Sequence, residues 1–314
     1  MAAHASFRLL RRVAAWLAGL TLGGAVVVFL TTGLVLHRSP VRPVGPEDRV
    51  TEVDGVAIRY RIGPETGGLP VIFLHGFGGS LHEWEKVAAL LPDTRWMALD
   101  LPGFGGSGRP VVGYDLENQS ARLIRFMDTL GIEQAILAGQ SMGASLAAWT
   151  AAHHPERVAG IVLVAPSGVP GSLRYPFPLS LFYRPGLPNT MVRGVVDNAL
   201  FARVFPTSLA RQALGVTASY NQAFLESLAA IQAPTTLIWS RGDERVPFDT
   251  HREFVTRIHD AAFIEAPERA GHAVASHAPE TIASAVSAAR FARGQQDYKT
   301  TGLQDRASRA ESGE

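Results

Sequence analysis

Gly139-Gln140-Ser141-Met142-Gly143 lies between two apolar stretches of different character. Gln134 to Ala138 reads as a buried strand, and the small residues from Ala144 to Ala152 read as a helix. A Gly-x-Ser-x-Gly that joins a strand to a helix is a turn too tight for a side chain at Gly139 or Gly143. Such a turn holds the Ser141 hydroxyl outward, at the positive end of the following helix. A serine presented in this way reads as a nucleophile. It then needs a base, an orienting acid and oxyanion donors from elsewhere in the chain.

A serine hydroxyl attacks poorly until a base takes its proton, and imidazole has a suitable pKa. Of the ten histidines, His272 follows Gly271 in a loop just past the last expected strand, from which it can reach across the sheet edge. His153 and His154 sit late in the helix after Ser141, His251 and His259 in a charge-rich helical stretch, and His4 and His37 beside an apolar N-terminal run. The base in turn needs a carboxylate to hold its tautomer. Asp243 ends the stretch Trp239-Ser240-Arg241-Gly242-Asp243, and the order Ser141, Asp243, His272 is the one expected when a Gly-x-Ser-x-Gly turn carries the nucleophile. Asp100, Glu265 and Glu268 are the competing carboxylates.

Oxyanion donors are expected to be backbone N–H groups, one just after the nucleophile and one from an early loop. Met142 supplies the first. The glycine-rich His75-Gly76-Phe77-Gly78-Gly79 follows a strand, and Phe77 N–H is the expected second donor, with Gly76 allowing close backbone approach and His75 holding the loop from within. Asp100 to Ser107 is another glycine-rich turn. It lacks the Lys-Ser/Thr ending of a phosphate-binding loop and reads as a structural turn at the edge of the site.

The chain has 314 residues, 46% of them hydrophobic, and a net charge of +1. Its scattered arginines form no basic strip, which argues against nucleic acid as a partner. With no cysteine, disulfides, thiolate metal sites and a cysteine nucleophile are excluded. After Arg8, Arg11 and Arg12, the run Val13 to Leu36 has 24 residues and no charge. As a helix it is about 36 Å long, enough to span a bilayer core. It is longer than the apolar region of a cleaved signal peptide and lacks a small-x-small ending, so a retained anchor is expected. The arginine balance places the following domain on the outer side of the membrane. Pro40, Pro43 and Pro46 stiffen the linker. Asp54-Gly55 marks a hairpin between Val50–Val53 and Val56–Arg61. Apolar strands at Val71–Leu74, Trp96–Leu99, Val158–Val164, Thr236–Trp239 and Ala262–Glu265 then alternate with helices at His82–Leu91, Leu116–Leu130 and Pro279–Phe291. That alternation specifies an α/β fold with a mostly parallel sheet covered on both faces. The stretch 169–230 breaks the rhythm with prolines and aromatic residues, among them Tyr175, Phe182, Tyr183, Tyr220 and Phe224, and reads as a lid.

Taken together, His75-Gly76-Phe77-Gly78-Gly79, Asp100 to Gly108, Gly139 to Gly143, Gly242 to Pro247 and Gly271-His272 resemble the α/β-hydrolase fold superfamily, in its lid-bearing serine hydrolase branch. The resemblance implies Ser141, Asp243 and His272 as a triad, Phe77 and Met142 as an oxyanion hole, and no cofactor or metal. The anchor, the lid and Gly-x-Ser-Met-Gly are similar to membrane-anchored monoacylglycerol lipases, although Gln140, Ala144 and His277 depart from that pattern. The implied organisation is a basic segment 1–12, an anchor 13–36, a linker 37–48, a hydrolase core at 49–168 and 231–293 split by a lid at 169–230, and a disordered tail 294–314. The expected reaction is hydrolysis of apolar or lipid-like carboxylic esters at a membrane. Carbon–carbon bond hydrolysis of the ring-cleavage type, cofactor-free perhydrolysis and a non-catalytic binding role are the alternatives.

Overall fold

The computed structural model describes Trp16, Gly19 and residues 43–174 and 209–291. Eight strands form one sheet: β1 (Arg49–Val53), β2 (Val56–Ile62), β3 (Val71–Leu74), β4 (Trp96–Leu99), β5 (Ala135–Gln140), β6 (Val158–Val164), β7 (Thr235–Ser240) and β8 (Ala262–Ala266). Their order is β1-β2-β4-β3-β5-β6-β7-β8. β1 pairs antiparallel with β2, and β2 with β4; every later pairing is parallel. The hairpin turn places Asp54 and Gly55 at φ 51° and 72°, the left-handed pair that a two-residue connection with matching twist requires.

Every residue of β3, β5 and β6 is buried. This is why these strands read as unbroken apolar runs: helices cover both faces of the sheet. On one face Leu123, Phe126 and Met127 of the helix Leu116–Thr129 pack with Leu146 and Ala147 of the helix Met142–His153. On the other, Trp84 stacks on Phe73 at 4.8 Å, beside Val87, Ile282 and Val286. Two expected helices differ in detail. The stretch expected as a helix from His82 to Leu91 is a 3-10 turn, Leu81–Trp84, followed by a short helix, Glu85–Ala89. The cause lies at its start, where the Asp100 carboxylate accepts the Leu81 N–H at 2.7 Å and pins the first turn to the next strand end. The helix after Ser141 begins at Met142, ahead of Ala144.

The chain leaves β3 towards β4 on one side and enters β5 on the other, so the sheet order reverses between β3 and β5. The connections that follow these two strands run to opposite sides in the sheet order, and open α/β sheets hold their ligands at the C-terminal strand ends of such a point. Among the described residues no helix is long and apolar enough to cross a membrane. Apart from Trp16 and Gly19, the expected anchor at 13–36 lies outside the described residues, as do residues 175–208 of the expected lid. The described remainder of that segment contains the helices Leu209–Ala218 and Gln222–Ser227. Phe224 there is fully buried and lies 6.4 Å from both Trp149 and Phe254, so this ring is core.

The turn between β5 and its helix is held by backbone contacts. A Cβ on Gly143 would come closer than 3.0 Å to the Leu74 and His75 carbonyls, and one on Gly139 closer than 3.0 Å to the Gly143 backbone. These neighbours are main chain of the central strands and cannot swing aside. Gly143→Ala is therefore expected to lower stability by about 3 kcal/mol. Urea unfolding followed by circular dichroism measures it, and an unchanged midpoint would contradict the close approach described here.

Candidate active site

Ser141 has φ 54° and ψ −115°, a strained conformation for a residue with a side chain. Its N–H donates to the Val164 carbonyl at 2.8 Å, tying the turn to the end of β6. Directly after it, Met142 opens a helix of 12 residues, so its N–H has no carbonyl one turn earlier to accept it. Across the switch point, a Cβ on Gly76 would sit 3.5 Å from the Cβ of Ser141. The loop after β3 therefore lies against the serine.

That loop is fixed from inside. Nε2 of the buried His75 accepts the Leu101 N–H at 2.9 Å, which puts the ring proton on Nδ1, and Nδ1–H donates to the Gly76 carbonyl at 2.7 Å. Burial pushes the imidazole of His75 to a lower pKa, although Asp100 and the Gly76 carbonyl oppose the shift, so the ring stays neutral at physiological pH. The Gly76 carbonyl and the Phe77 N–H belong to one planar peptide. Holding the first sets the direction of the second. Gly79 N–H adds a further bond to the same carbonyl at 3.0 Å.

Asp243 and His272 are brought together from the ends of β7 and β8. Asp243 Oδ1 accepts the N–H groups of Arg245 and Val246, each at 2.8 Å, and Oδ2 accepts Nδ1–H of His272 at 2.8 Å. With Nδ1 donating, Nε2 of His272 is left as the acceptor nitrogen. Gly242 makes this approach possible, because a Cβ there would meet the Glu268 carbonyl closer than 3.0 Å. Ser141 and His272 line one cavity of about 510 Å³ together with Gly76, Phe77, Glu83 and Leu173.

Several of the competing residues lie elsewhere, in contacts of their own. Asp100 accepts the Leu81 and Gly106 N–H groups, each at 2.7 Å, and meets the buried guanidinium of Arg59 at 3.3 Å. Glu265 pairs with Arg241 at 2.7 Å on the surface. His153 donates to the Trp149 carbonyl and stacks on that ring, His251 donates to the Phe248 carbonyl, and His259 is exposed beside Asp260. Among the described residues no group of three or more His, Cys, Asp or Glu could hold a metal ion.

Sequence reasoning missed Glu83. Its Oε2 accepts the Gly76 N–H at 2.9 Å and its Oε1 accepts the side-chain amide of Gln140, while Gln140 Oε1 accepts the Ala275 N–H at 3.0 Å. Burial pushes the Glu83 carboxyl up to about 7, against the opposing effects of the Gly76 N–H, a positive charge on His272 and the Gln140 amide. The available signal was a glutamate seven residues past Gly76, between His82 and the apolar Trp84.

The sheet order and the strained turn define the class, an α/β-hydrolase fold, and comparison with known proteins reaches the same class. Residues 70–201 match the family described as the alpha/beta hydrolase fold. The dihydrolipoyllysine-residue acetyltransferase component of the acetoin cleaving system of Pseudomonas putida is 30% identical over 276 residues, covering 82% of this chain and 73% of that protein. Monoacylglycerol lipase abhd6-A of Xenopus laevis is 24% identical over 252 residues, 68% of this chain and 72% of the lipase. A crystal structure of a bacterial membrane phospholipase A superposes with a TM-score of 0.61 at 24% identity, over 90% of this chain and 99% of that one, a likeness of fold. The chain belongs to the α/β-hydrolase fold family.

The raised pKa of Glu83 has a thermodynamic sign. In the unfolded chain a glutamate loses its proton near its ordinary value of 4.5, whereas in the fold Glu83 keeps its proton up to about 7. Between these values the folded state binds more protons, so this group makes stability fall as pH rises through that window. The Tm difference between Glu83→Gln and the parent should shift in favour of the variant from pH 5 to pH 8 in thermal unfolding. A difference that stays constant would mean that Glu83 ionises normally.

Proposed function

We propose that this chain is a serine hydrolase of carboxylic esters, with Ser141 as nucleophile, His272 as base, Asp243 as its orienting acid, and the Phe77 and Met142 N–H groups as oxyanion donors. The reading is carried by the Asp243–His272 bond, which leaves Nε2 of His272 as a proton acceptor in the cavity that Ser141 lines. In the first half-reaction His272 takes the hydroxyl proton as Ser141 Oγ bonds to the acyl carbon, and negative charge gathers on the carbonyl oxygen. The two N–H groups stabilise that charge. His272 then gives the proton to the departing alkoxide, which leaves as alcohol, and the acyl group stays on Ser141. Water, deprotonated by the same imidazole, attacks the acyl-enzyme; the acid departs and Ser141 recovers its proton.

Apolar or lipid-like acyl esters are the proposed substrates, with residues 13–36 as a membrane anchor, the core on the outer side and 169–230 as the lid. Two observations support this class: the uncharged 24-residue run, and likeness to proteins named as an acetyltransferase component and a monoacylglycerol lipase, both of which move acyl groups.

Detergent-solubilised full-length protein, assayed on p-nitrophenyl esters of rising chain length and on a ring-cleavage diketone, tests the reading. Hydrolysis of esters over the diketone is expected. Ser141→Ala and Asp243→Asn should each reduce kcat about a thousandfold or more. Turnover of the diketone alone, or full ester turnover by Ser141→Ala, would refute it.

A further inference from the structure

We propose that Glu83 and Gln140 form a hydrogen-bonded clamp that holds the oxyanion loop, the nucleophile turn and the histidine loop in register. Both are then positioning residues for ester hydrolysis, an inference that rests on the roles assigned above to Ser141, His272 and Phe77.

The clamp runs through three loops that are far apart in the chain. Ala275 N–H, three residues past His272, donates to Gln140 Oε1 at 3.0 Å. That contact fixes which way the Gln140 amide faces, so its Nε2 points at Glu83 Oε1 and donates to it. Gly76 N–H, one residue before Phe77, donates to Glu83 Oε2 at 2.9 Å. Gln140 is itself the residue before Ser141. A single carboxylate thus receives one donor from the loop that carries Phe77 and another from the turn that carries the nucleophile, and the amide passes the tie to the loop that carries His272.

The chemistry requires an acid at position 83. A glutamine there has the same shape but one acceptor atom. Whichever way its amide turns, its NH2 faces either the Gly76 N–H or the Gln140 NH2, donor against donor. Only a carboxylate accepts on both sides, and an ionised acceptor makes the stronger bonds. Burying that charge is unfavourable, which is the origin of its raised pKa. The titratable and charged groups around it are His272, Glu244 and Arg245 across the cavity, His82 and Glu85 on its own turn, and His75 and Asp100 behind the loop. Ionisation of Glu83 near neutral pH therefore contributes to the acid side of the activity profile, alongside His272.

The test uses full-length protein and p-nitrophenyl butyrate from pH 5.5 to 9, comparing the parent with Glu83→Gln, Gln140→Ala, the double variant and Ser141→Ala. Misplacement of the oxyanion loop should lower kcat of Glu83→Gln about tenfold or more at pH 8, with KM changed less than about threefold. The Tm difference between it and the parent should move in favour of the variant from pH 5.5 to pH 8, and the acid limb of its kcat profile should lack one ionisation. Gln140→Ala cuts the same tie at its other end, so the double variant should be about as impaired as the worse single variant. Losses that multiply, or a Glu83→Gln kcat within about threefold of the parent at every pH, overturn the clamp. Should Glu83→Gln not fold, an unchanged kcat in Gln140→Ala overturns it equally. A parent without ester activity, or a fully active Ser141→Ala, overturns the ester reading itself and the clamp's catalytic role with it.

Discussion

Gly143 packs against the carbonyls of Leu74 and His75 so closely that no side chain fits between them. This contact joins the helix after β5 to the end of β3, across the point where the sheet order reverses. It brings the strained turn and the glycine-rich loop within reach of one another, because the two strands are neighbours with Leu74 opposite Gly139. The positive φ of Ser141 follows from it: the chain must turn from strand to helix within one residue while its flanking glycines touch backbone. Strain of this kind persists where the surroundings over-determine the conformation. Here they do so through the Ser141 N–H bond to Val164 and the buried strands on either side.

Around that contact, polar side chains that are buried or partly buried hold the loops of the site. His75 and Glu83 fix opposite ends of Gly76, one at its carbonyl and the other at its N–H. Asp243 holds its own turn with one oxygen and His272 with the other. The Ser145 hydroxyl donates to the Ser167 carbonyl at 2.6 Å, and Ser167 Oγ bonds the Tyr220 hydroxyl at 2.6 Å, which links the loop after β6 to the segment before the helix Gln222–Ser227. Buried polar groups of this number are tolerable because they satisfy one another and the carbonyls that tight turns leave unpaired.

Much of this was legible in the sequence, for identifiable reasons. β3, β4 and β6 stand where apolar runs flanked by glycine and proline placed them, since strands buried on both faces admit few polar residues. Gly139, Gly143 and Gly242 mark backbone contacts that exclude a Cβ, and such contacts leave a glycine in the sequence as their trace. The pairing of His272 with Asp243 was legible only as chain order, because their contact spans 29 residues and depends on β7 and β8 lying side by side. Glu83 left no comparable mark. Read locally it is one charged residue in a short helical stretch, and its partners Gly76 and Gln140 are joined to it only through the packing of β3 on β5. The 3-10 turn at Leu81–Trp84 was equally hidden, since its first N–H is held by the Asp100 carboxylate just past the end of β4.

Gln140 shows how a departure from a family pattern can be structural in origin. In the sequence it is one of the departures from the monoacylglycerol lipase pattern, and by itself the change bears only on the subfamily. In the fold, its position is the last residue of β5, fully enclosed between the Glu83 turn and the segment after His272. A side chain there must present a donor on one side and an acceptor on the other. A neutral imidazole and a carboxamide both satisfy that demand, with different reach. The choice at 140 is thus coupled to the residue at 83: an amide that donates needs a neighbour that accepts, and the acid meets that need although it is partly buried. A short polar residue at 83 would leave the Gln140 NH2 and the Gly76 N–H facing one another without an acceptor. The unusual glutamine and the overlooked glutamate are therefore two halves of one arrangement, and each makes physical sense only in the presence of the other.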